Sequence, residues 1–201
     1  MEEKQAREVE IIEAALRVVA REGYYNLSMD KVAKEANMSK GGIAHYFSSK
    51  KKLFKAVFVK FFEMIFIRSK KSVDEVNDPI EKLVSFVWLY NGDDPQVVTG
   101  YAILFDFMSI ASRDEEYREI FTSWVQSWID LLKDAIEDAQ KKGMLKQDLD
   151  IDALARTISS IYQGIGERWY LDRENHSTEW AISQLKNSVY NLLKPYLIIN
   201  N

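Results

Sequence analysis

The chain has 201 residues, 47% of them hydrophobic and 12% aromatic, with 27 Lys+Arg against 31 Asp+Glu and no cysteine. That apolar content excludes an intrinsically disordered chain, and the missing cysteines exclude a disulfide framework and a thiolate metal site. No apolar run reaches the roughly 18–20 residues that span a bilayer, and the charged start MEEKQAREVE does not read as a signal peptide, so a cytoplasmic protein without a membrane partner is expected.

Helical periodicity begins at once, with Val9, Ile12, Leu16 and Val19 on one stripe and Gly23 as a stop. Ser28 caps a short helix from Met29 to Ala36, Asn37 and Met38 turn the chain, and Ser39 caps a second short helix from Lys40 to Phe47. Ser49 opens a long helix carrying Leu53, Val57 and Phe61 beside Phe54, Phe58, Ile65 and Phe66. Asp78-Pro79-Ile80-Glu81 combines a cap, a proline at the first helical position and a capping-box acid. Asp94-Pro95 repeats that signal, and Ser112 with Glu115 reads as a further box. The stripe Tyr117, Phe121, Trp124, Trp128, Leu131, Ala135 should end at Lys141-Lys142-Gly143, where cations suit the helix end and glycine suits the left-handed cap. Ile151, Leu154, Ile158, Ile161, Ile165 and Trp169 mark a penultimate helix, and Leu185, Val189, Leu192 and Tyr196 the last. The pattern predicts an all-α protein of about nine helices.

Charge is distributed unevenly. Residues 1–60 hold 12 Lys+Arg and 8 Asp+Glu, and within 31–60 the count is 8 against 1. A basic patch on a protein of net charge −4 suits a localised polyanion, and it equally suits a solvated helix face. The stretch ANMSKGGIAHYFSSKKKLF, Ala36 to Phe54, favours the polyanion. Two short helices joined by a tight turn form a helix-turn-helix, whose second helix enters the major groove by its N-terminal end. Gly41 and Gly42 leave that end bare, so a large residue at Gly42 is expected to block close approach while sparing the fold. Ser39 can cap the helix and also reach a phosphate, and the free N–H groups of the first turn favour an anion. Lys50, Lys51 and Lys52 open the next helix, where cations oppose the helix dipole. That placement makes sense beside a phosphate.

The segment LSMDKVAKEANMSKGGIAHYFSSKKKLF, Leu27 to Phe54, closely resembles the DNA-binding signature of TetR-family transcriptional regulators. Ser28, Val32-Ala33, Ala36, Ser39, Gly41, Tyr46-Phe47, Lys50 and Leu53 fill the family pattern. Asn37 stands at the usual turn glycine and tolerates the left-handed conformation. Ala44 stands at a usual tyrosine, and the form GGIAHYF is similar to the branch that includes choline/betaine-pathway repressors. The resemblance implies a helix-turn-helix domain over residues 1–48 and a larger ligand-binding and dimerisation domain over 49–201. It implies contact of double-stranded operator DNA by Ser28, Ser39, Lys40, Gly41, Gly42, His45, Tyr46 and Lys50. It also implies a homodimer through the last two helices, for which Ile158, Ile165, Leu185 and Val189 are the candidates. Repression released by a small-molecule effector is the family default.

The regulatory half is rich in aromatics. Trp88, Phe105, Trp124, Trp128, Tyr162 and Trp169, with the acids Asp106 and Glu167, are candidates for the effector site. Aromatic walls with one buried acid would suit a lipophilic or quaternary cation. A long apolar cavity for an acyl chain or other neutral lipophile is the alternative, in which Asp106 is exposed or hydrogen-bonded and takes no part. No enzyme chemistry is expected. The two histidines, His45 and His176, build no His-rich metal site, there is no Glu-x-x-His and no phosphate loop, and no cofactor is implied. The other class open to the sequence is a helical interaction module that binds a protein partner or membrane surface through its basic helix pair.

Overall fold

The computed structural model describes residues 2–198. Nine α-helices lie among them: α1 (Glu2–Glu22), α2 (Met29–Glu35), α3 (Lys40–Tyr46), α4 (Lys50–Asp74), α5 (Pro79–Lys82), α6 (Pro95–Ala111), α7 (Glu115–Lys141), α8 (Ile151–Leu171) and α9 (Thr178–Leu193). Short 3-10 turns occupy Tyr24–Asn26, Phe86–Tyr90 and Lys194–Tyr196. The fold is all-α, as expected, and among the described residues no helix is long and apolar enough to cross a membrane.

The helix ends follow local chemistry. Ser28, Ser39, Asp78, Asp150 and Ser177 each accept a backbone N–H of the first turn that follows them. Ser49 does the same for Lys52, and Asp94 for Gln96. At the far end of α7, Gly143 takes φ 70° and the Met144 N–H closes back on the Ala139 carbonyl, the left-handed cap expected from Lys-Lys-Gly. One cap differs. Ser112 donates to the Ser109 carbonyl inside the end of α6, and Asp114, not Ser112, caps α7 by accepting the Glu116 N–H. The carboxylate directly before the helix start wins over the hydroxyl two residues upstream.

The chain divides into two compact units, Met1–Ile65 with Thr99–Ser123, and Phe66–Val98 with Trp124–Asn201. The first is larger than a domain ending at residue 48. The early turns of α4 bury Leu53, Phe54, Val57 and Phe58 almost completely. Phe54 and Phe58 pack their rings on Phe107 of α6 and Tyr117 of α7, with centroids 4.5–5.6 Å apart. Those aromatic contacts, each worth about 0.5–1.5 kcal/mol beyond burial, make the start of α4 part of this core.

In the second unit α8 and α9 pack on one another and on the 3-10 turn Phe86–Tyr90. This packing corrects the dimer assignment. Ile158, Leu185 and Val189 are each 0% exposed within the single chain, so they are intramolecular core and offer nothing to a second copy. Ile165 alone of the four is partly exposed. Apolar stripes at helical spacing report burial; whether by the same chain or by a partner is decided by tertiary packing.

Candidate nucleic-acid interface and effector region

The turn between α2 and α3 is closed by Asn37 at φ 54°, the one non-glycine positive φ among the described residues. The Asn37 N–H donates to the Lys34 carbonyl and the Met38 N–H to the Ala33 carbonyl. Asparagine therefore does the work of a turn glycine, at the small cost its side chain tolerates. Val32, Ala33, Ile43 and Phe47 are buried and fix the two helices together.

What remains outside on α3 is one face: Lys40, Gly41, Ala44 and His45 are exposed, and Gly42 and Tyr46 are half-buried. Ala44 belongs to this face, although its identity alone gave no reason to select it. The Gly42 N–H donates to Ser39 Oγ at 3.0 Å, and the Lys31 N–H to Ser28 Oγ at 3.3 Å. Both hydroxyls accept in their caps and keep an O–H free to donate, which a phosphate oxygen can take. The two glycines differ. A Cβ at Gly42 would lie 3.3 Å from both Met38 Cε and Ser39 Oγ, whereas one at Gly41 would have only Ser39 Oγ, at 4.0 Å. Gly42 thus serves the cap as well as the surface, and Gly41 is the position at which bulk tests groove entry alone.

The basic patch separates into paired and unpaired cations. Arg17 and Arg21 of α1 clamp Glu35 of α2, whose carboxyl they hold below the usual glutamate range, Arg17 most strongly. Lys31 pairs with Glu22, and Lys55 and Lys51 both pair with Glu116 of α7. Lys40 reaches Asp30 at 2.9 Å, with side chains 65% and 68% exposed. So open an ion pair is worth little and yields readily to a stronger anion. Among the described residues Lys34, Lys50 and Lys52 make no ion pair, which leaves them to meet a polyanion.

The eight effector candidates do not form one group within a unit. Phe105 and Asp106 belong to the first unit; Trp88, Trp124, Trp128, Tyr162, Glu167 and Trp169 belong to the second. Asp106 accepts the Tyr24 N–H at 3.0 Å, just after Gly23 at φ 77°, and so anchors the 3-10 turn beneath the DNA-binding helices. Glu167 is half-buried and accepts from exposed Gln163 on its own helix. Tyr162 donates its hydroxyl to the Leu83 carbonyl and accepts the Phe86 N–H, and burial pushes its phenol up. Trp169 donates to Thr178 Oγ1, which donates in turn to the Tyr90 carbonyl. The aromatic cluster is continuous: Trp128 lies 4.7 Å from Phe86, 5.9 Å from Trp124 and 6.0 Å from Tyr162.

A capped helix with a bare exposed face, behind a tight turn and flanked by unpaired lysines, is the arrangement of a helix-turn-helix DNA-binding protein, and the rest of the chain is helical as well. The family model for bacterial regulatory proteins of the tetR family matches residues 11–57, and that for the tetracyclin repressor-like C-terminal domain matches residues 84–185. The chain belongs to the TetR family of transcriptional regulators. It is 22% identical to the fatty acid metabolism regulator protein of Bacillus subtilis over 96% of both chains. It is 25% identical to the HTH-type transcriptional repressor KstR2 of Mycobacterium tuberculosis over 82% of both. A TetR-family regulator from Cytophaga hutchinsonii superposes with a TM-score of 0.84 over 100% of this chain and 99% of the other, at 18% identity. A regulator from Saccharomonospora viridis in complex with choline gives 0.80 over 97% and 99%, at 22% identity, which speaks for the fold. Regulators of this family bind operator DNA and small-molecule effectors as dimers.

Proposed function

We propose that this regulator is a repressor that holds a near-palindromic operator as a homodimer and releases it when a lipophilic effector binds the larger domain. The observation that carries the reading is the exposed face of α3, with Lys40, Gly41, Ala44 and His45 outward and the Ser39 cap at its groove-entering end. Lys50 and the two serine hydroxyls position the protein on phosphates; Lys40 and His45 meet base edges. Relatives named as a repressor and as a fatty acid metabolism regulator support repression and a lipophilic effector. Asp106 is engaged by the Tyr24 N–H within the first unit, apart from the aromatic cluster of the second, and Glu167 lies beside exposed Gln163 on its own helix, so neither acid is seen set into an aromatic wall of its own unit. Action on an operator places the protein in the cytoplasm.

The dimer is formed by the outward faces of α8 and α9. On α8, Thr157, Ser160, Gly164 and Arg168 are exposed at helical spacing, with Ile161 and Ile165 partly so. The test is footprinting on DNA from upstream of the protein's own gene and its neighbours. Protection of a segment with two-fold symmetry, its half-sites about one or two DNA turns apart, is the expected result. Uniform, sequence-independent protection would return the chain to the class of basic interaction modules.

A further inference from the structure

The segment Leu27–Phe54 carries six lysines and only two acids, Asp30 and Glu35. The two acids are placed differently. Glu35, with its side chain 22% exposed, is clamped by Arg17 and Arg21 and serves the packing of α1 on α2. Asp30 is the second residue of α2, and its side chain is 68% exposed. Its one ion pair among the described residues is with Lys40, the first residue of α3. The Lys40 ammonium donates to Asp30 Oδ2 at 2.9 Å. A carboxylate in the first turn of α2 suits the helix dipole. That accounts for the acid and not for its partner, which stands at the groove-entering end of α3.

Charge and hydrogen-bonding capacity are separate properties of a lysine. An ammonium has three N–H donors; with one on Asp30, two remain. A phosphate contact gains its affinity from net charge, through counterion release. The Lys40–Asp30 pair has no net charge. When Lys40 swings away from so open a pair, the carboxylate left behind is repelled by the same phosphate that draws the ammonium. A guanine edge in the major groove asks for something else: two donors, for its neutral O6 and N7 acceptors. The pair offers those donors without offering charge. Lys34, Lys50 and Lys52, which make no ion pair among the described residues, keep their full charge for phosphates.

We propose that Asp30 is a specificity-determining residue, which cancels the charge of Lys40 toward the DNA backbone and leaves its two remaining donors for a guanine edge. The inference rests on the DNA-binding reading above and adds a positioning residue that acts through Lys40 and touches no base itself.

The test uses the full-length protein, the DNA segment it protects in footprinting, and an unrelated duplex of equal length. Affinity for both is measured across a salt series for the natural protein, Asp30→Asn, Lys40→Ala and the double variant. Asp30→Asn keeps an acceptor for Lys40 and removes the charge. It should steepen the salt slope on unrelated DNA by about one unit and raise affinity there about five-fold near physiological salt. Operator affinity should change less, so the ratio of operator to unrelated affinity falls. A gain of affinity cannot come from a damaged fold. Lys40→Ala should leave the slope on unrelated DNA unchanged, cost the operator about ten-fold, and erase discrimination at one G·C pair of each half-site. In the Asp30→Asn background, Lys40→Ala should take back the added slope. A ratio unchanged by Asp30→Asn, or a slope on unrelated DNA reduced by Lys40→Ala alone, would overturn the inference. A natural protein that prefers no DNA segment would overturn the regulator reading with it, whereas a protected operator with an unchanged ratio counts against the inference alone.

Discussion

In the proposed DNA interface Lys50 and Gly41 have different parts, and their variants should fail differently. Lys50 is exposed and has no protein anion to leave, which suits it to the phosphate contact proposed for it. Lys50→Ala should weaken binding to all sequences alike and reduce the slope of log affinity against log salt by about one unit. A salt series on operator and unrelated DNA measures this; an unchanged slope would remove Lys50 from the interface. A side chain at Gly41 would meet only Ser39 Oγ, at 4.0 Å, an ordinary contact. Gly41→Trp should keep or slightly raise thermal stability, since glycine is a poor helix former. It should cost operator affinity on the order of a hundred-fold through lost base-pair contacts. Full affinity in a folded Gly41→Trp protein would sink the groove-entry geometry. The same change at Gly42 is less informative, because crowding of Met38 and the Ser39 cap would confuse a fold effect with a contact effect.

At the scale of elements, the DNA-binding helices are held by contacts from α6 and α7. Asp106 of α6 holds the Tyr24 N–H, and the Tyr24 ring lies 3.7 Å from that of Phe54. Asp106→Leu leaves that N–H without its acceptor and should cost about 1–3 kcal/mol in denaturant unfolding. Asp106→Asn retains an acceptor oxygen and should cost less, and neither variant should change which effectors bind. Glu116 of α7 gathers Lys55 and Lys51 of α4, which hold its carboxyl below the usual glutamate range, Lys55 most strongly. A lowered carboxylate pKa gives stability that is present above the unfolded value and lost as pH falls through the folded one. Glu116→Gln should therefore lower the melting temperature near neutral pH. The gap from the natural protein should close as pH drops below about 4. A gap independent of pH would show that the ion pairs contribute nothing.

At the scale of the whole molecule, one recognition helix reads too few base pairs for specificity, and a two-fold dimer matches a near-palindrome. Gly164 lies on the exposed face of α8, with no atom near the position of its absent side chain. Gly164→Trp should fold normally as a chain and sediment as a monomer at micromolar concentration, with operator affinity falling with dimerisation. A dimer of unchanged stability would move the interface off this face. Effector and operator must also oppose each other equally: whatever factor the effector takes from operator affinity, the operator takes from effector affinity. Titrating each in the presence of the other measures both factors.

Much of this protein is legible in its residues because the relevant physics is local. Caps at Ser28, Ser39, Asp78, Asp150 and Ser177 compete for nearby N–H groups, and Asn37 turns the chain through its own backbone freedom. The reading segment from Leu27 to Phe54 is short enough that spacing alone assembles its face. Tertiary structure decided what local rules leave open. It placed Ile158, Leu185 and Val189 inside the chain, because an apolar stripe does not say what covers it. It turned Asp106 to a backbone N–H 82 residues away. It left the Trp88 and Trp128 indoles without acceptors while supplying one to Trp169. An indole's partner is set by packing between distant segments, and no sequence period records which donors that packing leaves unpaired.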